Sequence, residues 1–240
     1  MSLRPLPLRR QRGAALLMLV ALAGIGSAAL LMQAYKPGAD DLRQELQTQQ
    51  ILGDAREALL GYAALHGRLP RPAVSALDGT EDAQPCDSAE SCNGFIPWVT
   101  LGIRGYDSWG KLLRYSVTPA FTVTPIRQLT TGDKVVIGRA ANGLPTYIIG
   151  QAQCEPYAQC APAVLYSSGK YNLGTSVLGI HQASVATTNV DERQNDATPT
   201  YFISRARSDN AGAAGGEFDD MVTWVPIQQL QARLRATRSF

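Results

Sequence analysis

Serine, lysine and aspartate residues occur at spacings that could support nucleophilic catalysis. Ser167 and Lys170 have the spacing S-x-x-K, and Ser208 begins the run S-D-N; both patterns occur in serine enzymes that react with β-lactams. The serine of S-x-x-K must open a helix so that it shares a face with the lysine, whereas Gly169 predicts a turn. The third pattern of those enzymes, K-T-G, is absent, as are the G-x-S-x-G, Walker and Rossmann patterns. The sequence therefore predicts a protein that is not an enzyme.

Composition and charge narrow the remaining classes of protein. Hydrophobic residues make up 45% of the 240 residues and charged residues 18%, which excludes disorder over most of the chain. Four arginines precede residue 13, and without them the formal net charge of +2 becomes −2. The chain after these arginines therefore has no strongly basic surface to neutralise phosphates, which argues against nucleic acid as a main partner. The two histidines, His66 and His181, are too few and too far apart for a histidine-based metal site.

The start of the chain has the pattern of a membrane segment. The basic run from Arg9 to Arg12 is followed by Gly13 and then by 19 residues without a charge, Ala14 to Met32. At about 1.5 Å per residue, a helix of that length nearly crosses a hydrocarbon layer of about 30 Å. The excess of arginine before the segment places residues 1–13 in the cytoplasm and the residues after about 36 outside it. For a bacterial chain, these features predict a single pass through the inner membrane and a periplasmic body.

The same N-terminus resembles the leader of type IV pilins and type II secretion pseudopilins, with Arg9-Arg10-Gln11-Arg12-Gly13 before Ala14-Ala15-Leu16-Leu17-Met18-Leu19-Val20. The resemblance implies that a prepilin peptidase cleaves between Gly13 and Ala14 and that the new amine is methylated. It also implies that the apolar helix is retained, first as an anchor and then as the stem of a filament built with other pilin or pseudopilin subunits. Two other interpretations stay open, a cleaved secretory signal and a plain single-span anchor.

Met18 departs from the family pattern at the filament core. Family members usually carry a glutamate as the fifth residue after the cleavage point, and here that residue is Met18. A carboxylate in hydrocarbon costs several kcal/mol unless it is paired, so it is retained only where a neighbouring subunit supplies a cation. The tip subunit of pseudopilins also lacks this glutamate. Met18 therefore indicates a minor subunit close to the tip, or a chain that enters no filament.

The resemblance implies an α+β fold in which one long helix, transmembrane and then amphipathic, packs on an antiparallel sheet. We expect a leader at 1–13, a transmembrane helix at 14–35, an amphipathic helix at 39–66 and a body at 67–240. Lys36-Pro37-Gly38 predicts a break or kink between the two helical parts. Steps of three and four predict one buried stripe on the second part, made of Leu42, Leu46, Gln49, Leu52, Ala55, Leu59 and Ala63.

The body alternates between strand patterns and loops. The turn Asp107-Ser108-Trp109-Gly110 precedes an alternating strand with Leu113, Tyr115 and Val117, and the late segment Glu217–Pro226 contains another. Both segments resemble parts of pilin-like bodies. Further strands are predicted at 120–125, 134–138, 146–150 and 162–167. A last strand is predicted over Asp219–Val225, with alternation from Met221 onward, and it leads into a short helix from Ile227 to about Ala236. Flexible loops are predicted near 68–97, 183–199 and 206–216.

The four cysteines form two local pairs with five residues between the members. The even number of cysteines, their local pairing and the predicted periplasmic location favour disulfides. We predict that Cys86 pairs with Cys92 and that Cys154 pairs with Cys160. Zinc is the alternative, but common zinc knuckles have shorter spacings.

Calcium is the one metal that the sequence offers a site for. Asp107, Asp209, Asp219 and Asp220 could contribute oxygen ligands, and calcium is a ligand of some pseudopilins. Asp219 and Asp220 are the main candidates. Their spacing lacks the regularity of a strong calcium motif, and turn capping explains them as well.

Together these patterns predict a minor pilin-like subunit that a prepilin peptidase processes. The alternative is a membrane-anchored periplasmic binding or structural protein outside any filament. DNA capture is a weaker third possibility, since only Arg233, Arg235 and Arg238 cluster on the last helix.

Overall fold

The computed structural model describes residues 12–155 and 158–237, without the side chains of residues 12–16 and 25–37. The chain divides into two compact units, Met1–Arg43 and Gln44–Phe240. The predictions for residues 1–11 and for Arg238 lie outside the described residues.

The first unit contains the start of helix α1, which runs from Arg12 to His66. The helix includes Lys36-Pro37-Gly38, so a break at this segment is wrong, and the alternative that the sequence left open, a kink at Pro37, stays a prediction. Within the described residues, no helix combines the length and the apolar character that crossing a membrane requires.

The second unit contains the rest of α1, which buries one stripe of side chains. The predicted stripe is confirmed at Leu52, Ala55, Leu59 and Ala63, all of which are buried. It is wrong for Leu46 and Gln49, which are exposed, and for Leu42 at the end of the first unit, which is exposed as well. Thr48 takes the inward position instead, because its hydroxyl accepts a hydrogen bond from the backbone N–H of Ser108 at 3.1 Å. The helix ends where Gly67 adopts a left-handed φ of 68° and donates to the carbonyl of Ala63.

Two sheets form the body. The first is antiparallel, with the strand order β1-β2-β5-β7, where β1 is Asn93–Phe95, β2 is Arg114–Val117, β5 is Ala163–Ser167 and β7 is Met221–Val225. The second has the order β4-β3-β6, where β3 is Val135–Arg139, β4 is Pro145–Ile149 and β6 is Tyr201–Ile203. In the second sheet, β3 pairs antiparallel with β4 and parallel with β6.

Three helices complete the described body: α2 is Trp98–Leu101, α3 is Val190–Ala197 and α4 is Ile227–Ala236. The first sheet lies between two apolar layers, because successive side chains of a strand point to opposite faces. On one face, Leu165 packs in the main core with α1 and with Leu230 of α4. On the other face, Tyr166 packs with Val136 and Phe202 of the second sheet. The body is therefore mixed α+β, as the sequence predicts.

Several predicted elements match closely, and others do not. Strands β2, β3, β4, β5 and β7 and helix α4 lie where the sequence places them. The strand predicted at 120–125 is wrong: a short 3₁₀ turn at Pro119–Phe121 and bends occupy this segment, where Pro119 and Pro125 interrupt strand pairing. The loop predicted at 183–199 contains α3, whose residues are polar and give no apolar periodicity. Strand β1 falls inside the loop predicted at 68–97.

Candidate functional site

The predicted turn at Asp107 is confirmed, and its carboxylate serves the fold. Oδ1 of Asp107 accepts hydrogen bonds from the backbone N–H groups of Trp109 and Lys111, each at 2.9 Å. Oδ2 accepts one from the hydroxyl of Ser167 at 2.6 Å. Burial raises the pKa of Asp107, against the lowering effect of these donors. The turn thereby ties the start of β2 to the end of β5.

Ser167 has a structural role in the described geometry. It lies at the end of β5 and is fully buried, and its hydroxyl is committed to Asp107. Gly169 follows with a left-handed φ of 59°, so the S-x-x-K segment forms a turn and not the start of a helix. This arrangement agrees with the prediction made from Gly169.

Lys111 is hydrogen-bonded to the loop at residues 168–172, which follows β5. Its ammonium group donates to the backbone carbonyls of Ser168 at 3.2 Å and Asn172 at 3.1 Å, and also to that of Tyr171. The side chain is buried, and burial lowers the pKa of Lys111 although nearby carboxylates, Asp219 first among them, oppose the shift. One ammonium group therefore fixes the backbone of residues 168–172.

Three buried carboxyl groups lie beside this loop, from Glu192 of α3 and from Asp219 and Asp220, which immediately precede β7. One ligand oxygen from each lies within 4.8 Å of the others. We call this set the acidic triad. Sequence reasoning identified Asp219 and Asp220 but missed Glu192 and Lys111, because both lie in segments that are distant in sequence and carry no motif.

Protein donors already occupy much of the triad. The backbone N–H of Asp219 donates to Oε1 of Glu192 at 2.8 Å, and the backbone N–H groups of Lys170 and Tyr171 donate to Oδ2 of Asp219 at 2.7 and 2.8 Å. The amide of Asn189 donates to Oε2 of Glu192, and that of Asn195 to Oδ2 of Asp220. Oδ1 of Asp219 is buried and has no hydrogen-bond partner among the described residues.

Two carboxyl groups of the triad, those of Glu192 and Asp220, have raised pKa values. Burial, together with the charge of Asp219, raises the pKa of Glu192 to about 7. Burial and the charge of Glu192 likewise raise the pKa of Asp220 well above its ordinary value. A raised carboxyl pKa means that the folded protein disfavours the charged form. Glu192 and Asp220 therefore hold a proton more tightly than free carboxyl groups do.

The fit of calcium to these residues is incomplete. Calcium takes six to eight oxygen ligands, and the triad offers three carboxyl groups whose oxygens largely accept protein N–H groups. Asp107 is committed to its own turn, and Asp209 is paired with Arg207 at 3.1 Å. Calcium binding at Asp219 and Asp220 stays a prediction.

A cleft of about 890 Å³ opens beside the triad. One wall comes from the loop at 170–186, the other from the loop at 208–219, and Glu192 contributes from α3. We call it the acidic cleft, because it is lined by four carboxylates, Glu192, Asp209, Glu217 and Asp219, and by one basic side chain, Lys170. Its volume lies in the range typical of ligand sites.

The remaining predicted site residues are not among those that line this cleft. Gly13 and Ala14 lie in the first turns of α1, and the side chain of Met18 on the same helix is 70% exposed. Both predicted disulfides are present, with Cα–Cα distances of 5.2 Å for Cys86–Cys92 and 5.7 Å for Cys154–Cys160. Each one closes a local loop, as their spacing indicates.

The basic residues of α4 have local partners. Arg233 pairs with Glu57 of α1 at 3.1 Å, and Arg235 donates to the side chain of Gln231. These contacts account for two of the three arginines considered for DNA capture.

Comparison with known proteins was negative at every level. No protein-family model matches the chain, and neither a curated protein nor a solved structure matches it significantly.

Proposed function

We propose that this chain is a minor subunit of a pilin-like or pseudopilin-like filament, anchored in the inner membrane before assembly and carrying its body in the periplasm. Cleavage after Gly13 by a prepilin peptidase and methylation of Ala14 are part of the proposal. The neighbours in the filament are other pilin or pseudopilin subunits.

The observation that carries the proposal is the apolar surface near the start of α1. Leu17, Met18, Leu19, Val20 and Leu22 are each between 65 and 72% exposed. Because a helix has 3.6 residues per turn, nearly consecutive positions cover all its sides. A helix that is apolar all round needs an apolar environment, which lipid or neighbouring helices supply.

The body supports the same proposal. The part of α1 in the second unit packs its buried stripe against a four-stranded antiparallel sheet. A retained N-terminal helix continuing into such a body suits a subunit that must pass from a membrane into a helical stem. Met18 at the filament-core position brings no buried charge, which suits a minor subunit without a paired neighbour.

The decisive measurement is the mass of the mature N-terminal peptide, from cells that contain a prepilin peptidase. We expect a peptide that begins at methylated Ala14, and we expect Gly13→Leu to abolish its formation. Gly24→Ala is the matched control, because it changes a glycine of the same helix with open space around it and leaves the cleavage point intact.

A mature chain that begins at Met1, or inside the apolar stretch, would contradict the proposal. The first result would favour the alternative, an anchored periplasmic protein outside any filament, which is indifferent to the identity of residue 13. The second would indicate a cleaved secretory signal.

A further inference from the structure

We propose that Asn142-Gly143, at the tip of the β3–β4 hairpin, is a site of spontaneous covalent modification, in which the asparagine is converted to aspartate and isoaspartate. The inference does not depend on the filament role. It rests on the position of this dipeptide in the fold, compared with that of Asn93-Gly94, the second asparagine–glycine pair of the chain.

The reaction joins the side chain of an asparagine to the backbone nitrogen of the next residue. The nitrogen of Gly143 attacks Cγ of Asn142, so that a C–N bond forms, and the bond from Cγ to Nδ2 breaks and releases ammonia, which takes up the proton of the peptide group. Water then opens the cyclic imide at one of its two carbonyls, which gives either aspartate or isoaspartate, and nothing is oxidised or reduced. Glycine favours the attack, because it has no Cβ to restrict the backbone rotation that brings the two atoms together.

The hairpin tip gives Asn142 the freedom that this reaction requires. Asn142 is exposed, and so are Leu144 and the first four residues of β4. The turn is closed by a hydrogen bond from the N–H of Gly143 to the carbonyl of Ala140 at 2.8 Å, and the N–H of Leu144 donates to Oδ1 of Asn142 at 3.1 Å. These bonds must open before the nitrogen of Gly143 can reach Cγ.

Opening of the tip leaves the rest of the sheet in place. Strand β4 is an edge strand, and β3 keeps its parallel pairing with β6 when the end of the hairpin frays. Arg139 also donates to the carbonyl of Gly143 at 2.9 Å, but this contact comes from the same hairpin and opens with it. Exposed edges open locally at a much lower free energy than the whole body does. The tip therefore reaches the reactive geometry without global unfolding.

Asn93-Gly94 has the same chemistry in a position that opposes it. The two residues begin β1, where Gly94 is buried and pairs with the fully buried Tyr115 of β2. On its other side the backbone is enclosed by Ala73, since a Cβ on Gly94 would lie 2.7 Å from the carbonyl oxygen of Ala73. The rotation that brings the nitrogen of Gly94 to Asn93 requires β1 to leave its sheet. The folded chain therefore protects Asn93 and leaves Asn142 reactive.

Both products change the hairpin. Aspartate adds a negative charge to the stretch from Ala140 to Cys154, which carries no charged residue. Isoaspartate adds a methylene group to the backbone of the short loop that the bond between Ala140 and Leu144 closes, and the length of such a loop sets the register of a hairpin. We expect modification to loosen β4 while β3 keeps its pairing with β6.

The test is mass spectrometry of the full-length chain in detergent, incubated at mildly alkaline pH because the attacking nitrogen must lose its proton. After reduction of the disulfides, trypsin releases the peptides Ala140–Lys170 and, with the bond of Arg71-Pro72 uncut, Leu69–Arg104. Each peptide contains a single asparagine, Asn142 or Asn93. Modification replaces an amide group by a hydroxyl and so raises the mass of the peptide, and chromatography separates isoaspartate from aspartate.

We expect Asn142 to be modified at least about tenfold faster than Asn93. Asn142→Gln should remove the modification, because its longer side chain disfavours ring closure, and the matched control Asn93→Gln should leave the rate at Asn142 within about twofold. Equal rates at the two asparagines would mean that global unfolding controls the reaction, and would overturn the proposal. So would a rate at Asn142 more than about a hundredfold below that of a free peptide of residues 138–146, because the turn would then protect the amide.

Discussion

At the scale of single residues, Lys111 is the side chain on which the site depends most. Its ammonium group is buried and donates to the carbonyls of residues 168, 171 and 172. Lys111 lies in the turn before β2, and its positive charge interacts with the carboxyl groups of the acidic triad. A buried charge is tolerated only where partners compensate for its lost hydration. Here the partners are carbonyl dipoles and nearby carboxylates acting together.

We predict that Lys111→Met lowers the free energy of unfolding by about 3–5 kcal/mol, because three carbonyls lose their donor and the triad loses its cation. Lys170→Met is the control, since that side chain is partly exposed at the cleft. Urea denaturation followed by circular dichroism measures both. A loss below about 1 kcal/mol for Lys111→Met would show that the loop does not depend on this tether.

A second prediction at this scale concerns pH and Glu192. The pKa of Glu192 is raised to about 7 from an ordinary 4.5, so the folded chain holds this proton more tightly than the unfolded chain does. Stability from this group is fully present below about pH 4.5, falls as the pH rises towards 7, and stays low above that. The loss is on the order of 2 kcal/mol.

Glu192→Gln removes the titrating group, and we expect it to flatten the decline of stability between pH 5 and 7.5. Glu90→Gln, at an exposed position, should leave the decline unchanged. Thermal melts at four or five pH values across that range provide the comparison. Parallel curves for the parent chain and Glu192→Gln would contradict the assignment.

At the scale of elements, the packing of α1 is predicted well from the sequence over one part of the helix and wrongly over the part before it. The apolar steps from Leu52 to Ala63 identify the buried stripe correctly, because burial there follows hydrophobicity alone. The prediction fails at Leu46, where the inward position belongs to the polar Thr48 and its bond to the turn at Ser108. No periodicity rule can detect a threonine that is buried for a tertiary hydrogen bond.

Leu59 and Leu65 of the same helix provide a matched test of this packing. Leu59 is fully buried and Leu65 is 83% exposed. We predict that Leu59→Ala lowers the free energy of unfolding by about 2–5 kcal/mol, because a buried leucine leaves a cavity, whereas Leu65→Ala changes it by about 0.5 kcal/mol or less. Similar losses for the two variants, measured by urea denaturation, would mean that α1 is not packed on the sheet in this register.

The polar elements were harder to foresee than the apolar ones. Helix α4 has the predicted bounds, and β7 begins at Met221, where the alternation within the predicted strand Asp219–Val225 begins. Helix α3 was missed because its inward side chains, Asp191, Glu192 and Asn195, are polar. Asp191 is held there by Arg139 of β3 and by Arg205, which follows β6, each at 2.7 Å. Sequence reasoning could not bring these two segments together.

At the scale of the whole molecule, the site is assembled from segments that are far apart in sequence. The turn at 107–111, the loop at 167–172, helix α3 and the segment at 217–220 meet around one cluster of charges. Sequence reasoning could name Asp107, Asp219 and Asp220 as aspartates of interest, but it could not tell that Asp107 serves a turn while the other two join Glu192. That distinction depends on the long-range pairing of β5 with β7, which brings the loop after β5 next to Asp219 and Asp220.

The parallel pairing of β3 with β6 has a consequence for how the chain reaches its native state. Strand β5 lies between β4 and β6 in sequence, yet it is an interior strand of the other sheet. Neither sheet is a contiguous stretch of polypeptide, because each pairs strands that are separated in sequence by strands of the other sheet. This order of strands places contacts between residues that are far apart in sequence, and such a high contact order slows folding. It also means that no single division of the chain separates the two sheets, so we expect them to unfold together.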